Sequence, residues 1–134
     1  MYCLPFENET EWEIFVSRFE AGTLTKEDFT HGAHLCVGAW FVAHFEPAEA
    51  GLRIRNGIRH LNECLGNENT ETSGFHETLT EFWIRVIRSH LAVHGTSMAS
   101  LELLVALPAG LWRESYSIDL PNDLVARREY VEPS

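Results

Sequence analysis

Two short motifs hold the side chains best suited to chemistry. Thr30-His31-Gly32-Ala33-His34-Leu35 sets two histidines three residues apart, and Gly74-Phe75-His76-Glu77-Thr78-Leu79-Thr80 sets a histidine beside a carboxylate. Residues three apart share one side of a helix, so His31 and His34 project together, on a side otherwise made of Gly38, Phe41 and Phe45. Imidazoles turned into such surroundings need partners for their polar nitrogens. Neutral imidazole nitrogens and carboxylate oxygens ligate zinc, iron or manganese, and facing helices can project such groups into one core. One reading is therefore a single divalent metal held by His31, His34 and His76, with Glu77 as the catalytic group that moves a proton from bound water. Adjacent residues diverge by about 100° around a helix, so His76 and Glu77 meet one metal only at an irregular helix start.

Two blander readings stand beside it. The same residues fit a metal-free polar pocket, or histidines at the edge of a core, bonded to nearby threonines and acids. The paired Glu-x-x-His pattern of di-iron bundles is absent, and Thr80 stands where the second histidine of HExxH would be. Arg59 and Asn62, with Thr80, are candidate ligand-binding residues, since a guanidinium grips a carboxylate or phosphate at two points. For Arg55, one helical turn earlier, an ion pair with one of the abundant acids, Glu77 among the candidates, is the favoured reading. His90 and His94 lie at a helix C-terminus, where the helix dipole favours them without a ligand. His60 and Cys64 read as surface and core, and Cys36, in an apolar run, as packing. GxGxxG, P-loop and GxSxG signals are missing, so no nucleotide cofactor and no serine triad are expected.

Positioning these groups falls to a chain of 134 residues with 45 % hydrophobic content, enough for one domain spanning 1–134 with a real core. Ten Lys+Arg against twenty Asp+Glu give a formal charge of −10, which repels a phosphate backbone, so nucleic acid is not an expected partner. The start, Met1-Tyr2-Cys3-Leu4-Pro5, has neither the basic nor the long apolar part of a leader, so a cytoplasmic location is expected. No apolar run reaches membrane-spanning length, and a membrane partner is not expected. Cys3, Cys36 and Cys64 are scattered and odd in number, which suits reduced thiols.

The expected fold is all-α, a single-domain bundle of five or six helices around a buried second helix. After a short extended lead-in over 1–9, Thr10-Glu11-Trp12-Glu13 resembles a capping box, and Trp12, Phe15, Val16 and Phe19 form a helical stripe over about 11–21. Thr25-Lys26-Glu27-Asp28 repeats the capping pattern and starts a helix that reaches about Glu46, apolar around almost its whole circumference. Pro47 opens a third helix, with Leu52, Ile54, Ile58, Leu61 and Leu65 inward, ending at Gly66. Residues 67–74 form a polar loop that feeds the His76 motif and reads as a pocket rim. A fourth helix over about 75–93 places His76 one turn inside it, with Leu79, Phe82, Trp83, Val86, Ile87 and His90 inward. A fifth runs over about 98–107 and a short last helix follows Pro121. Leu111, Trp112, Tyr116 and Leu120 close the open side, and 130–134 reads as a loose tail.

The motifs Thr30-His31-x-x-His34-Leu35, Gly57-Ile58-Arg59 with Asn62, and Gly74-Phe75-His76-Glu77-Thr78-x-Thr80, followed by Tyr116-Ser117, Ala126-Arg127 and Val131-Glu132-Pro133, resemble a family of small uncharacterised bacterial helical proteins. The likeness runs over most of the chain, with Phe75 where that family's motif carries tyrosine. It implies that His31, His34, His76 and Glu77 act as a set, and it names no substrate. The leading expectation is a metal-binding protein, a small metal-dependent hydrolase or oxygenase acting on a small polar or anionic molecule. The alternative is a metal-free small-molecule-binding or protein-interaction module whose cavity is shaped by Trp40, Trp83 and Trp112. A homodimer through the first or fifth helix is a third expectation.

Overall fold

Apolar residues at helical spacing condense into six α-helices: α1 (Glu9–Ala21), α2 (His31–His44), α3 (Pro47–Cys64), α4 (Glu77–His94), α5 (Met98–Val105) and α6 (Leu124–Arg128). Two 3-10 turns, Ala109–Glu114 and Leu120–Asn122, link the last two helices, and there is no strand among the described residues. The structure is a computed structural model that describes residues 4–134, so Cys3 and the start of the expected lead-in lie outside the described residues. The fold is the expected all-α bundle. Its second helix is the hub, touching α1, α3, α4 and α5.

Burial explains that position. Leu35, Cys36, Val37, Gly38, Ala39 and Phe41 of α2 are all buried, which only a helix covered on several sides can satisfy. From α1, Trp12 packs edge-on to Trp40 and donates its indole N–H to the Cys36 carbonyl at 2.8 Å, so its polar atom is satisfied within the core. Phe19 is fully buried against Phe29 and Phe41, and a β-carbon at Gly57 of α3 would strike its ring. Gly57 is thus a point of close helix approach. Burial pushes the Cys36 thiol up to about 12, an inert packing group, as its apolar setting suggests.

Several boundaries differ from the expected ones for local reasons. Helix α1 begins earlier, because Asn8, not Thr10, accepts the Glu11 backbone N–H, while the Glu11 carboxylate returns to the Glu7 N–H. Thr25 and Asp28 do bond reciprocally, but they close an isolated turn, and a second cap at Thr30 starts α2 five residues later than expected. Leu52 is 59 % exposed on the outer face of α3 and does not join the stripe of Ile54 and Leu61. Cys64 is exposed, not core, and rests 3.7 Å from His60.

A smaller cluster of Trp112, Tyr116, Leu120 and Ala126 packs on Leu79 and Phe82 of α4, closing that side as expected. The final residues are not loose. Val131 donates its N–H to Thr78 at 3.0 Å and accepts from the Tyr116 hydroxyl at 2.7 Å, Thr78 donates to the Glu129 carbonyl, and Ser134 bonds to Ser115. The fully buried Thr78 hydroxyl requires these partners, so the tail completes the fold of α4.

Candidate functional site

Between α2, α3 and α4 lies a cleft of about 930 Å³, roofed by the turn at residues 109–113 and rimmed by the loop at 66–74. That volume lies in the upper range of small-molecule sites. The walls are mainly apolar: Ile54 and Ile58 from α3, with Leu79, Trp83, Ile84 and Ile87 from α4. The polar groups enter from both ends of the sequence motifs, His31 and His34 from the first turn of α2, His76 and Thr80 from the start of α4. Gly38 keeps the α2 side open. Its missing side chain leaves room for the tip of Ile87, which would stand 2.7 Å from a β-carbon there.

The three histidines reach one cleft, but in different chemical states. His76 is buried and is the N-cap of α4, not a residue one turn inside it: its Nδ1 accepts the Leu79 backbone N–H at 3.1 Å. Its Nε2 lies 2.8 Å from the Leu120 carbonyl, which can only accept, so Nε2 carries the proton. Both ring nitrogens are therefore committed, and the ring has no lone pair to spare. Burial also lowers its pKa, against the pull of the Leu120 carbonyl.

His34 stacks on Phe29 at 3.6 Å between ring centres, with Nδ1 2.8 Å from the Thr30 carbonyl. The same logic puts the proton on Nδ1 and leaves Nε2 as an acceptor. The surrounding protein brings its pKa down to about 4, outweighing the Thr30 carbonyl, although the ring is exposed on its cleft side, where water moderates the effect. His31 meets Trp83 edge-on at 4.7 Å, and its Nε2 is buried without a hydrogen-bond partner. Desolvation lowers the His31 pKa against the pull of the Leu107 backbone. All three imidazoles are held toward the neutral form.

Glu77 follows a different direction. Its carboxylate takes a two-point grip from Arg55, with Nε to Oε1 and Nη2 to Oε2 both at 2.9 Å, and Arg55 reaches on to Glu81 at 2.7 Å. The expected divergence of residues 76 and 77 thus sends one side chain into the cleft and the other into an ion-pair network between α3 and α4. The bond with Glu77 leads the interactions that raise the Arg55 pKa. Burial pushes the Glu81 carboxyl up, but hydrogen bonds from Arg85 and Arg55 outweigh it and hold the group below its ordinary value. Glu77 is not among the residues that line the cleft.

The other sequence candidates divide. Asn62 lines the cleft and donates to Asn69 at 3.0 Å. Asn69 in turn accepts the Phe75 N–H and donates to the Arg59 carbonyl, stapling the rim loop to α3. Thr80 lines the cleft but spends its hydroxyl proton on the His76 carbonyl at 2.7 Å. Arg59 lies outside the cleft lining, its guanidinium 4.0 Å above the Phe75 ring. Trp83 and Trp112 shape the cavity as expected, whereas Trp40 belongs to the opposite side of α2, stacked on His44. His90 bonds to the Ser100 carbonyl and hydroxyl, a structural role.

Arg113, which lines the cleft beside the Trp112 ring, lies in no spaced motif and was not a sequence candidate. Arg127, noted in the sequence only within the family resemblance and given no role there, donates to the Gly74 and Pro121 carbonyls and ties the tail region to the rim. Among the described residues no group of three or more His, Cys, Asp or Glu is arranged to hold a metal ion. Compared with models of known protein families, with curated proteins and with solved structures, the chain gives no significant match.

Proposed function

We propose that the cleft is a metal-free binding site for one small, largely apolar molecule. The observation that carries this reading is the pairing of a large apolar-walled cleft with a His76 ring whose two nitrogens are both occupied by backbone partners. A metal bound by His31, His34 and His76 would have to strip the cap from α4 or break the bond to Leu120. Two histidines three apart, with Glu77 held by Arg55, leave too few ligands for the mononuclear site read from the sequence. The metal-dependent hydrolase or oxygenase is therefore the weaker of the two readings. A phosphate- or carboxylate-bearing ligand has less support, since Arg59 lies outside the lining, the imidazoles are held toward the neutral form, and the charge of Arg113 at the roof is offset by Glu68 on the rim. The formal charge of −10 argues against nucleic acid, and no helix among the described residues is long and apolar enough to cross a membrane.

The test is a fluorescence titration with N-phenylnaphthylamine, a neutral dye that brightens in apolar surroundings. Saturable enhancement is expected for the native chain, with and without a chelator. Ile58→Trp, on a half-buried wall position, fills the cleft and should weaken binding at least tenfold at an unchanged melting temperature, by the cost of overlapping a bound ligand. Absent enhancement, or enhancement indifferent to Ile58→Trp, would overturn the proposal.

A further inference from the structure

We infer that the cleft selects a neutral ligand carrying a hydroxyl, phenolic or amine hydrogen on an apolar body, and that the side chain reading that hydrogen is His34. The inference rests on the binding-site reading above and names the class of molecule bound. Each backbone carbonyl can only accept, so the 2.8 Å contact of His34 Nδ1 with the Thr30 carbonyl fixes the tautomer and turns Nε2 into a lone-pair acceptor. The Thr30 carbonyl is held in place because the same residue caps α2 through its hydroxyl, which accepts the Ala33 N–H at 3.2 Å. The ring cannot easily turn either, being stacked on Phe29 at 3.6 Å between centres. His34 is thus a pre-oriented acceptor on the wall of an apolar cleft.

His34 is set apart from the other polar groups of the cleft by its fixed tautomer and stacked ring; the Asn62 and Thr80 oxygens and the Glu68 carboxylate are the alternative acceptors that the His34 variant below distinguishes. His76 has both nitrogens occupied, the Thr80 hydroxyl donates to the His76 carbonyl, and Asn62 donates to Asn69. His31, one turn before His34 on the same side, adds a second signal. Its Nε2 is the buried side-chain polar atom without a partner among the described residues, enclosed beside Trp83. An unsatisfied buried nitrogen carries an uncompensated desolvation cost, relieved by a hydrogen-bonding group that reaches it. His31 and Trp83 both line the cleft, and Trp83 is only partly buried. Neutral imidazoles and a mainly apolar lining offer little to an anion, and the one lining arginine, Arg113, is offset by the lining carboxylate of Glu68.

Three probes of one shape separate the possibilities: para-tert-butylphenol, para-tert-butylanisole and para-tert-butylbenzoate, each titrated into the native chain and followed by backbone amide nuclear magnetic resonance. The phenol is expected to bind at the cleft residues at least tenfold more tightly than the anisole, with the benzoate weaker than both. His34→Phe keeps the stacking surface and removes the acceptor; it should bring phenol and anisole to equal affinity at a folded, dispersed spectrum. Equal binding of phenol and anisole to the native chain, or a preference that survives His34→Phe, would overturn the assignment while leaving the apolar binding site standing. If none of the three shifts any cleft resonance, the binding-site reading fails and this inference with it.

Discussion

At the scale of single residues, His31, His34 and His76 differ less in location than in what their nitrogens already do. Their convergence on one cleft was legible in two motifs, because spacing fixes which side of a helix a residue faces. What spacing could not reveal is that His76 is spent on capping α4 and on the Leu120 carbonyl, a partner forty-four residues away. The ion pair of Arg55 was legible, with Glu77 a candidate partner, and the two-point grip on Glu77 bears it out. The difference has a thermodynamic consequence. His76→Ala removes a cap and leaves a buried carbonyl unpaired, so urea unfolding should show a loss of about 2–4 kcal/mol, with His76→Asn recovering about 1 kcal/mol through its own capping oxygen. His34→Ala, at an exposed ring with one backbone bond, should cost under about 1 kcal/mol.

Among the elements, the apolar stripes located the helices while the caps misplaced their ends. Thr25-x-x-Asp28 and Thr30 are both sound N-terminal signals, and the first closes a turn only because the chain must bend before α2 can bury its sides. Thr10 lost to Asn8 because two cap residues lay within reach, and the earlier one added two residues to the helix. Leu52 was placed inward by its apolar type, yet the neighbours that would cover it never pack there. Close helix approaches were the hardest to see, since a glycine's purpose depends on what lies opposite. Gly57 is opposite the fully buried Phe19 ring. Alanine there would gain up to about 1 kcal/mol in helix propensity, but overpacking costs about 1–3 kcal/mol. Gly57→Ala is therefore expected to lower stability in urea, and a stabilised variant would show that α1 and α3 are spaced more loosely than described here.

For the whole molecule, the tail shows why local sequence ran out: Val131 pairs with Thr78 across 53 residues and with Tyr116 across 15, and nothing nearby in sequence hints at it. The cleft is likewise a property of the assembled bundle. Its histidines give the fold a common pH response. Their folded-state pKa values lie below the ordinary 6.5, with His34 near 4, so the unfolded chain binds more protons between these values. Stability should accordingly fall as pH drops from about 6.5 toward 4, and fall further below about 4.5 as Glu81, whose pKa is lowered by Arg85 and Arg55, becomes protonated. Melting temperatures measured across that range should decline steadily, and a curve flat down to pH 5 would contradict the lowered pKa values of the half-buried His31 and the buried His76. The most direct test of a metal-free cleft is a long-range proton–nitrogen correlation spectrum of the histidine rings, recorded at neutral pH before and after adding zinc. The account predicts neutral rings, with the proton of His34 on Nδ1 and that of His76 on Nε2, and a His76 pattern unmoved by stoichiometric zinc. Joint movement of His31, His34 and His76 on zinc addition would contradict it and restore the metal centre.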